Sequence, residues 1–123
     1  MAYRSYTPKR GDLVHMNFSP SAGHEMALRH YALVISAGSY VRKARMAIVC
    51  AITSQVRGWP FEVAVPPGLL PKKQGVGEVA SVVVADAVRQ VDYREREMEF
   101  VAEAPRAVVE QVLDALLSVV EDD

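Results

Sequence analysis

What this sequence lacks narrows its reading first. It has a single cysteine, Cys50, which excludes an internal disulfide; set between Val49 and Ala51, the thiol suits a buried place in a reducing compartment. No Cys/His spacing fits zinc, and no cluster of His, Asp and Glu has metal-ligand spacing, so no metal and no cofactor is expected. No apolar run approaches the roughly 18 residues a membrane span needs. The opening MAYRSYTPKRG has no apolar segment of the kind a secretion signal carries, and a cytoplasmic protein with no membrane contact is expected. Internal repeats, low-complexity tracts and linkers are missing too. At 123 residues, 50% hydrophobic and 24% charged, the chain is expected to form one domain, 1–123, around a single core.

The net charge of −1 conceals an asymmetry. Residues 1–94 carry 12 Lys/Arg against 6 Asp/Glu, whereas residues 95–123 carry 2 against 9. Phosphate binding needs local positive charge and not a basic total, so nucleic acid stays open as a partner. An acidic end that merely keeps the chain soluble accounts for the same numbers.

Alternation of apolar and polar residues predicts a first strand over Asp12–Phe18, with Val14, Met16 and Phe18 on one face. Tyr31–Ile35 and Met46–Ile52 are near-continuous apolar runs, as strands covered on both faces are. Ala37–Arg45 between them reads as a surface crossover. Strands follow at Phe61–Val65, Val79–Ala85 and Val88–Tyr93, with an edge strand at Met98–Val101. Ser19–Glu25 and Pro66–Gly77 are loops by composition, the second carrying Lys72 and Lys73. Pro105 suits a first helical position, and Val108, Val109, Val112, Leu113, Leu116, Leu117 and Val120 recur at helical spacing. Five to seven mostly antiparallel strands and one C-terminal amphipathic helix predict an α+β fold, a small barrel.

The stretch Ile52–Val65, ITSQVRGWPFEVAV, carries most of the chemistry. A buried strand ends in Thr53, Ser54 and Gln55, and a basic turn, Arg57-Gly58-Trp59-Pro60, leads into the next strand. Polar groups at a strand end are held by a rigid sheet yet stay open to a ligand. Thr53 and Ser54 capping a strand end is the alternative reading of the same residues.

This stretch resembles the T-[TS]-x-x-[KR]-G-[YW]-P-F-E-V signature of the MazF/PemK mRNA interferase toxins. Three more runs are similar to that family's motifs in the same order: GDLVHMNFSP, the A-G-H-E loop leading to YALVIS, and VVVADAVRQVDYR. The match spans Gly11–Arg94. It implies an SH3-like barrel and a metal-independent, sequence-selective endoribonuclease that leaves a 2′,3′-cyclic phosphate and a 5′-OH on single-stranded RNA. It further implies a homodimer and a proteic antitoxin whose disordered acidic segment covers the RNA groove.

By that resemblance Thr53 takes the place of the family's catalytic threonine. The family's catalytic arginine directly precedes a proline in R-P-A-L-V-I-S; here Tyr31 stands at the proline position, His30 at the arginine position, and Arg29 one residue earlier. Neighbours on a strand point to opposite faces, so an extended chain brings only one of Arg29 and His30 into the site. Arg29 supplies fixed charge for a phosphorane, and entry from an irregular loop–strand junction favours it. The ordinary imidazole pKa of about 6.5 makes His30 the better proton carrier. The candidate site is therefore Arg29, His30 and Thr53 for catalysis, with His15, Glu25, Ser54, Gln55 and Arg57 for RNA. His15 stands where a base-stacking aromatic occurs in the family, and Glu25 at an acidic position beside His24. Trp59 is expected to be buried, and Asp86 and Arg89 to form an internal pair. Two rivals remain: a CcdB-like gyrase poison, which shares the fold but works through C-terminal residues of another character, and a catalytically silent binding member.

Overall fold

The computed structural model describes residues 6–18, 29–71 and 79–121. Its strands are β1 (Asp12–Asn17), β2 (Arg29–Val34), β3 (Ala47–Thr53), β4 (Glu62–Ala64), β5 (Val82–Val91) and β6 (Glu99–Glu103). They join in one sheet in the order β4-β5-β3-β2-β1-β6, every pairing antiparallel. The sheet curls into a half-barrel, α+β in class, with helices α1 (Gly38–Ala44) and α2 (Arg106–Val120).

Alternation along the strands divides the apolar residues between two cores. Leu13, Leu33, Cys50, Ile52 and Val83 point to the face covered by α2, where Val108, Val109 and Val112 are buried against them. Val14, Met16, Ala32, Val34, Val49 and Val91 point the other way and gather Val41 of α1 with Tyr93 and Met98. The segment between β5 and β6 carries the last two and folds back on itself, with Met98 N–H donating to the Tyr93 carbonyl at 3.0 Å.

The fold differs from the sequence reading at several places, among them β2, which begins at Arg29 and not at Tyr31. Residues read as a surface crossover form α1, because Val41 finds a place in the second core and anchors the turn. The two strands expected at Val79–Ala85 and Val88–Tyr93 are one, β5, bent by an irregularity: Cys50 pairs with Val88 but Ile52 with Val83. The edge strand starts one residue late, since Met98 is wholly buried and belongs to the turn. Pro105 caps α2 and does not open it, a one-residue difference of the kind helix ends show. Cys50 is buried as expected, and desolvation, helped by Asp86, pushes its thiol up to about 12.

Gly11 ties the N-terminal lead to both layers. Its N–H donates to the Val34 carbonyl and its own carbonyl accepts from Ala104 N–H, each at 2.8 Å. Its φ of +99° is one that L side chains rarely adopt, and a Cβ there would stand 3.7 Å from Val109. The space is ordinary; the dihedral is the strain. Gly11→Ala is expected to lower unfolding free energy by about 1–2 kcal/mol, measurable as an earlier urea midpoint with an unchanged slope.

Candidate active site

Thr53 is the last residue of β3. Its hydroxyl oxygen accepts a hydrogen bond from Gln55 N–H at 3.0 Å, a local turn that ends the strand. As acceptor in that bond the hydroxyl keeps its own proton to offer to a ligand oxygen. Ile52 before it faces the α2 core, so Thr53 faces the α1 side.

β2 supplies the second group. The β2–β3 ladder ends with Ala32 opposite Ala51; His30, two residues before Ala32, and Thr53, two residues after Ala51, point to the same side of the sheet. Met16, the partner of His30 in β1, lies in the core on that same side. His30 is exposed and meets Phe18 edge-on, with ring centroids 5.6 Å apart. β5 adds charge. Arg89 is paired with Val49, hence on the Thr53 side, and its guanidinium lies 5.4 Å from the Phe18 ring centroid. The Phe18 carbonyl accepts from Arg89 Nη1 at 3.2 Å and from Arg96 Nη1 at 3.0 Å. Each guanidinium retains further N–H donors. One rim of the sheet thus carries a hydroxyl, an imidazole and two fixed positive charges.

The turn after Thr53 is built from its own polar groups. The Glu62 carboxylate accepts from Arg57 N–H and Gly58 N–H, both at 3.1 Å, and Arg57 Nη2 donates to the Gln55 side-chain oxygen at 3.0 Å. Ser54, Gln55 and Arg57 are exposed and follow directly on Thr53, as the sequence suggests. Trp59 does not follow expectation. It is 51% exposed, because the turn projects beyond the core; among the described residues it meets the edge of Phe61, at 5.6 Å, and the Asp86 carboxylate, 3.4 Å from its Nε1. Asp86 and Arg89 do not pair either: the bend in β5 sends Asp86 to Trp59 and Arg89 to Phe18.

Arg29 lies elsewhere. It sits in a regular ladder opposite Asn17, so no irregular junction swings it to the Thr53 side. On the α2 side its guanidinium donates to His15 Nδ1 (3.3 Å), the His15 carbonyl (3.2 Å), Asn17 Oδ1 (3.3 Å), the Glu97 carbonyl (3.1 Å) and Glu99 Oε1 (3.2 Å). Glu97 adds a longer ion pair at 3.7 Å. His15 is held in the same group and is not an open platform; its ring packs on Tyr31 with centroids 4.7 Å apart. The structure therefore brings Thr53 and His30 to one side of the sheet and leaves Arg29 and His15 on the other. His24, Glu25, Lys72 and Lys73 lie outside the described residues. Among the described residues, no three His, Cys, Asp or Glu side chains are grouped to hold a metal ion.

Phe18 and Arg96 escape sequence reasoning. Phe18 carries the pattern of a core residue, and Arg96 sits in REREME, a run that looks like a solvated charged turn. Only the fold-back of residues 92–97 brings them together.

The architecture has close counterparts. A MazF crystal structure from Deinococcus radiodurans is 40% identical, with 94% of this chain and 98% of that one covered at a TM-score of 0.76. A MazE–MazF complex from the same organism is 39% identical, covering 94% and 97% at 0.77. A mycobacterial endoribonuclease at 18% identity, with 94% and 92% covered and a TM-score of 0.69, shares the fold. This is the MazF class of half-barrel. In sequence, the family described as PemK-like, MazF-like toxin of type II toxin-antitoxin system matches residues 9–120. The Escherichia coli K12 endoribonuclease toxin MazF is 33% identical over 91 residues, 74% of each chain. The chain belongs to the PemK-like, MazF-like toxin family.

The Arg29 group makes a measurable claim. Burial first, then the Arg29 charge, lower the His15 pKa, while Glu99 opposes them. A histidine with a lowered folded pKa binds its proton more tightly when unfolded, so its contribution is present above the unfolded value of about 6.5 and is lost as pH falls. Arg29→Met removes the opposing positive charge and leaves Glu99. The His15 pKa is then expected to rise, read by NMR titration of its ring protons, and the stability lost on acidification to shrink.

Proposed function

We propose that this chain is the endoribonuclease toxin of a toxin–antitoxin pair and cuts single-stranded RNA by internal transesterification at the end of β3. The observation that supports it most directly is the placing of His30 and Thr53 on one side of the sheet, the side that Arg89 also faces, in a chain of the MazF-like family. His30 stands where the family motif has arginine, and Arg29 is committed to a brace between β1, β2 and β6.

The chemistry follows from those groups. His30 accepts the proton of a ribose 2′-OH, whose oxygen attacks the adjacent phosphorus. Thr53 donates to a non-bridging oxygen, and Arg89 with Arg96 offsets the charge that builds there. The bond from phosphorus to the 5′-oxygen breaks, and the imidazolium returns its proton to that oxygen. The products are a 2′,3′-cyclic phosphate and a 5′-OH, and no step calls for a metal. Ser54, Gln55 and Arg57 flank the cut bond and contact neighbouring nucleotides, giving selectivity. Such a reaction belongs in the cytoplasm, with mRNA.

Partners follow from the same surface. The solved relatives include complexes of MazF with MazE. A proteic antitoxin with a disordered acidic segment suits the cationic rim here, charge against charge. The end of α2 leaves Leu117 and Val119 49% exposed and Val120 71% exposed, an apolar strip that a second copy of the chain would cover. Paired Leu117→Glu and Val120→Glu substitutions are expected to halve the mass found by sedimentation at micromolar concentration. An unaltered mass would place the contact elsewhere.

Catalysis is tested on purified protein and RNA in EDTA, where cleavage is expected to persist. His30→Ala should lower kcat by about 10²–10⁴ and abolish any ionisation limb of the wild-type pH–rate profile. His30→Arg should retain more activity than His30→Ala, with a flat profile between about pH 6 and 8. Arg29→Ala should mainly lower stability. The reverse order of losses would return the catalytic role to Arg29.

A further inference from the structure

At the end of β3 remote from Thr53 lies a cleft of about 410 Å³ lined by Tyr6, Thr7, Arg42, Arg45, Tyr93 and Arg94. It is set apart from Thr53: Arg45 lies two residues before the start of β3, and the seven residues of that strand span roughly 20 Å. Three arginines line one concavity. Among the described residues, no carboxylate comes within ion-pairing distance of any of them. Asp92, two residues before Arg94, is turned to the backbone N–H groups of Arg94 and Glu95, at 3.1 and 3.2 Å, and neither Asp92 nor Glu95 ion-pairs with an arginine of the cleft.

The two aromatic groups differ in access, since Tyr93 is buried in the second core and Tyr6 is only partly covered. The Arg94 guanidinium lies 5.7 Å from the Tyr93 ring centroid. The Tyr6 hydroxyl is engaged by the buried Asp12 carboxylate, so Tyr6 offers the cleft a ring. Arginine interleaved with aromatic rings is the composition that grips single-stranded nucleic acid.

Arg45 adds an independent sign. It caps α1 at φ +60°, in the left-handed region, where glycine or asparagine is favoured and an arginine costs about 1–2 kcal/mol of local strain. Its N–H donation to the Val41 carbonyl, at 2.8 Å, would be made as well by glycine. The cap has no use for this side chain; the cleft has.

We infer that this cleft is a second RNA-binding site, which takes one or two backbone phosphates, with an adjacent base, from the substrate strand beyond the cleaved step. The inference rests on the endoribonuclease reading above and extends it: the Thr53 rim cuts, and the cleft holds the strand at a distance. It predicts that affinity depends on substrate length, because only an RNA long enough to reach along β3 engages both.

The test compares wild type, Arg45→Gly and the Arg42→Gln/Arg45→Gly double variant. Binding is measured with RNAs of about 4 and about 20 nucleotides whose cleavage-site 2′-OH is replaced by hydrogen. The long RNA is expected to bind the double variant about fivefold more weakly at 0.1 M salt, with the salt slope reduced by about 0.7 per phosphate released. The short RNA should bind all three proteins alike. Turnover of a cleavable long RNA should show a raised KM at constant kcat, and Arg45→Gly should melt no lower than wild type. Unaltered binding of the long RNA, or an equal loss on both lengths, would overturn the inference. So would a loss confined to an acidic peptide, which would assign the cleft to an antitoxin. A wild type that cuts no RNA would sink the endoribonuclease reading, while the binding measurements would still decide the cleft.

Discussion

The period of two along β2 is the constraint on which the candidate site depends. Because β2 stays in regular register with β1 through Asn17↔Arg29, Arg29 and His30 are driven to opposite sides of the sheet. One residue then stands with Thr53 and the other inside a hydrogen-bonded group on the α2 side. A bulge in β2 would exchange them; the ladder has none at those positions. The register itself is held by burial, since Leu13 and Leu33 face one core while Val14, Ala32 and Val34 face the other. A slip by one residue would turn both sets into the wrong layer.

That division gives Arg29 and Arg89, on opposite sides of the sheet, different work. Arg29 spends its donors on His15, Asn17, Glu97 and Glu99, which joins β1, β2 and β6 but leaves its charge compensated. Among the described residues, Arg89 meets a carbonyl and a ring at Phe18 and no carboxylate. A compensated guanidinium is a brace, whereas an uncompensated one attracts phosphate. Arg42, Arg45 and Arg94 are likewise without a carboxylate partner among the described residues, where only Arg29 and Arg106 are ion-paired. Of the acids beyond residue 95, Glu97 and Glu99 belong to the Arg29 group and Glu110 pairs with Arg106 on α2.

The segment between β5 and β6 links these features. It carries Tyr93 and Met98 into the second core, Arg96 to the Phe18 carbonyl and Arg94 over Tyr93. Its backbone is tied by Arg96 N–H to the Asp92 carbonyl at 3.0 Å and by Glu97 N–H to the Arg94 carbonyl at 3.1 Å. A single short turn thus closes the half-barrel, supplies charge to the rim and forms one wall of the distant cleft. Its rigidity bears on both ends of the β3 strand.

The α+β class, the long helix, most strands and the strand end at Thr53-Ser54-Gln55 were legible in the sequence, because they follow from hydrophobic period and turn chemistry, which are local. Family motifs carried the rest of that reading. The short α1 was not legible, since it is helical through one buried contact at Val41, nor was the continuity of β5 through its bend. Trp59 looked too large to leave exposed, and only the projection of its turn beyond the core shows that it has no more than an edge to pack on. Sequence alone framed the choice between Arg29 and His30, since adjacent strand residues cannot share a face. Which of them stands beside Thr53 was decided by tertiary structure, because that depends on the register across three strands and on partners as distant in sequence as Glu97 and Glu99.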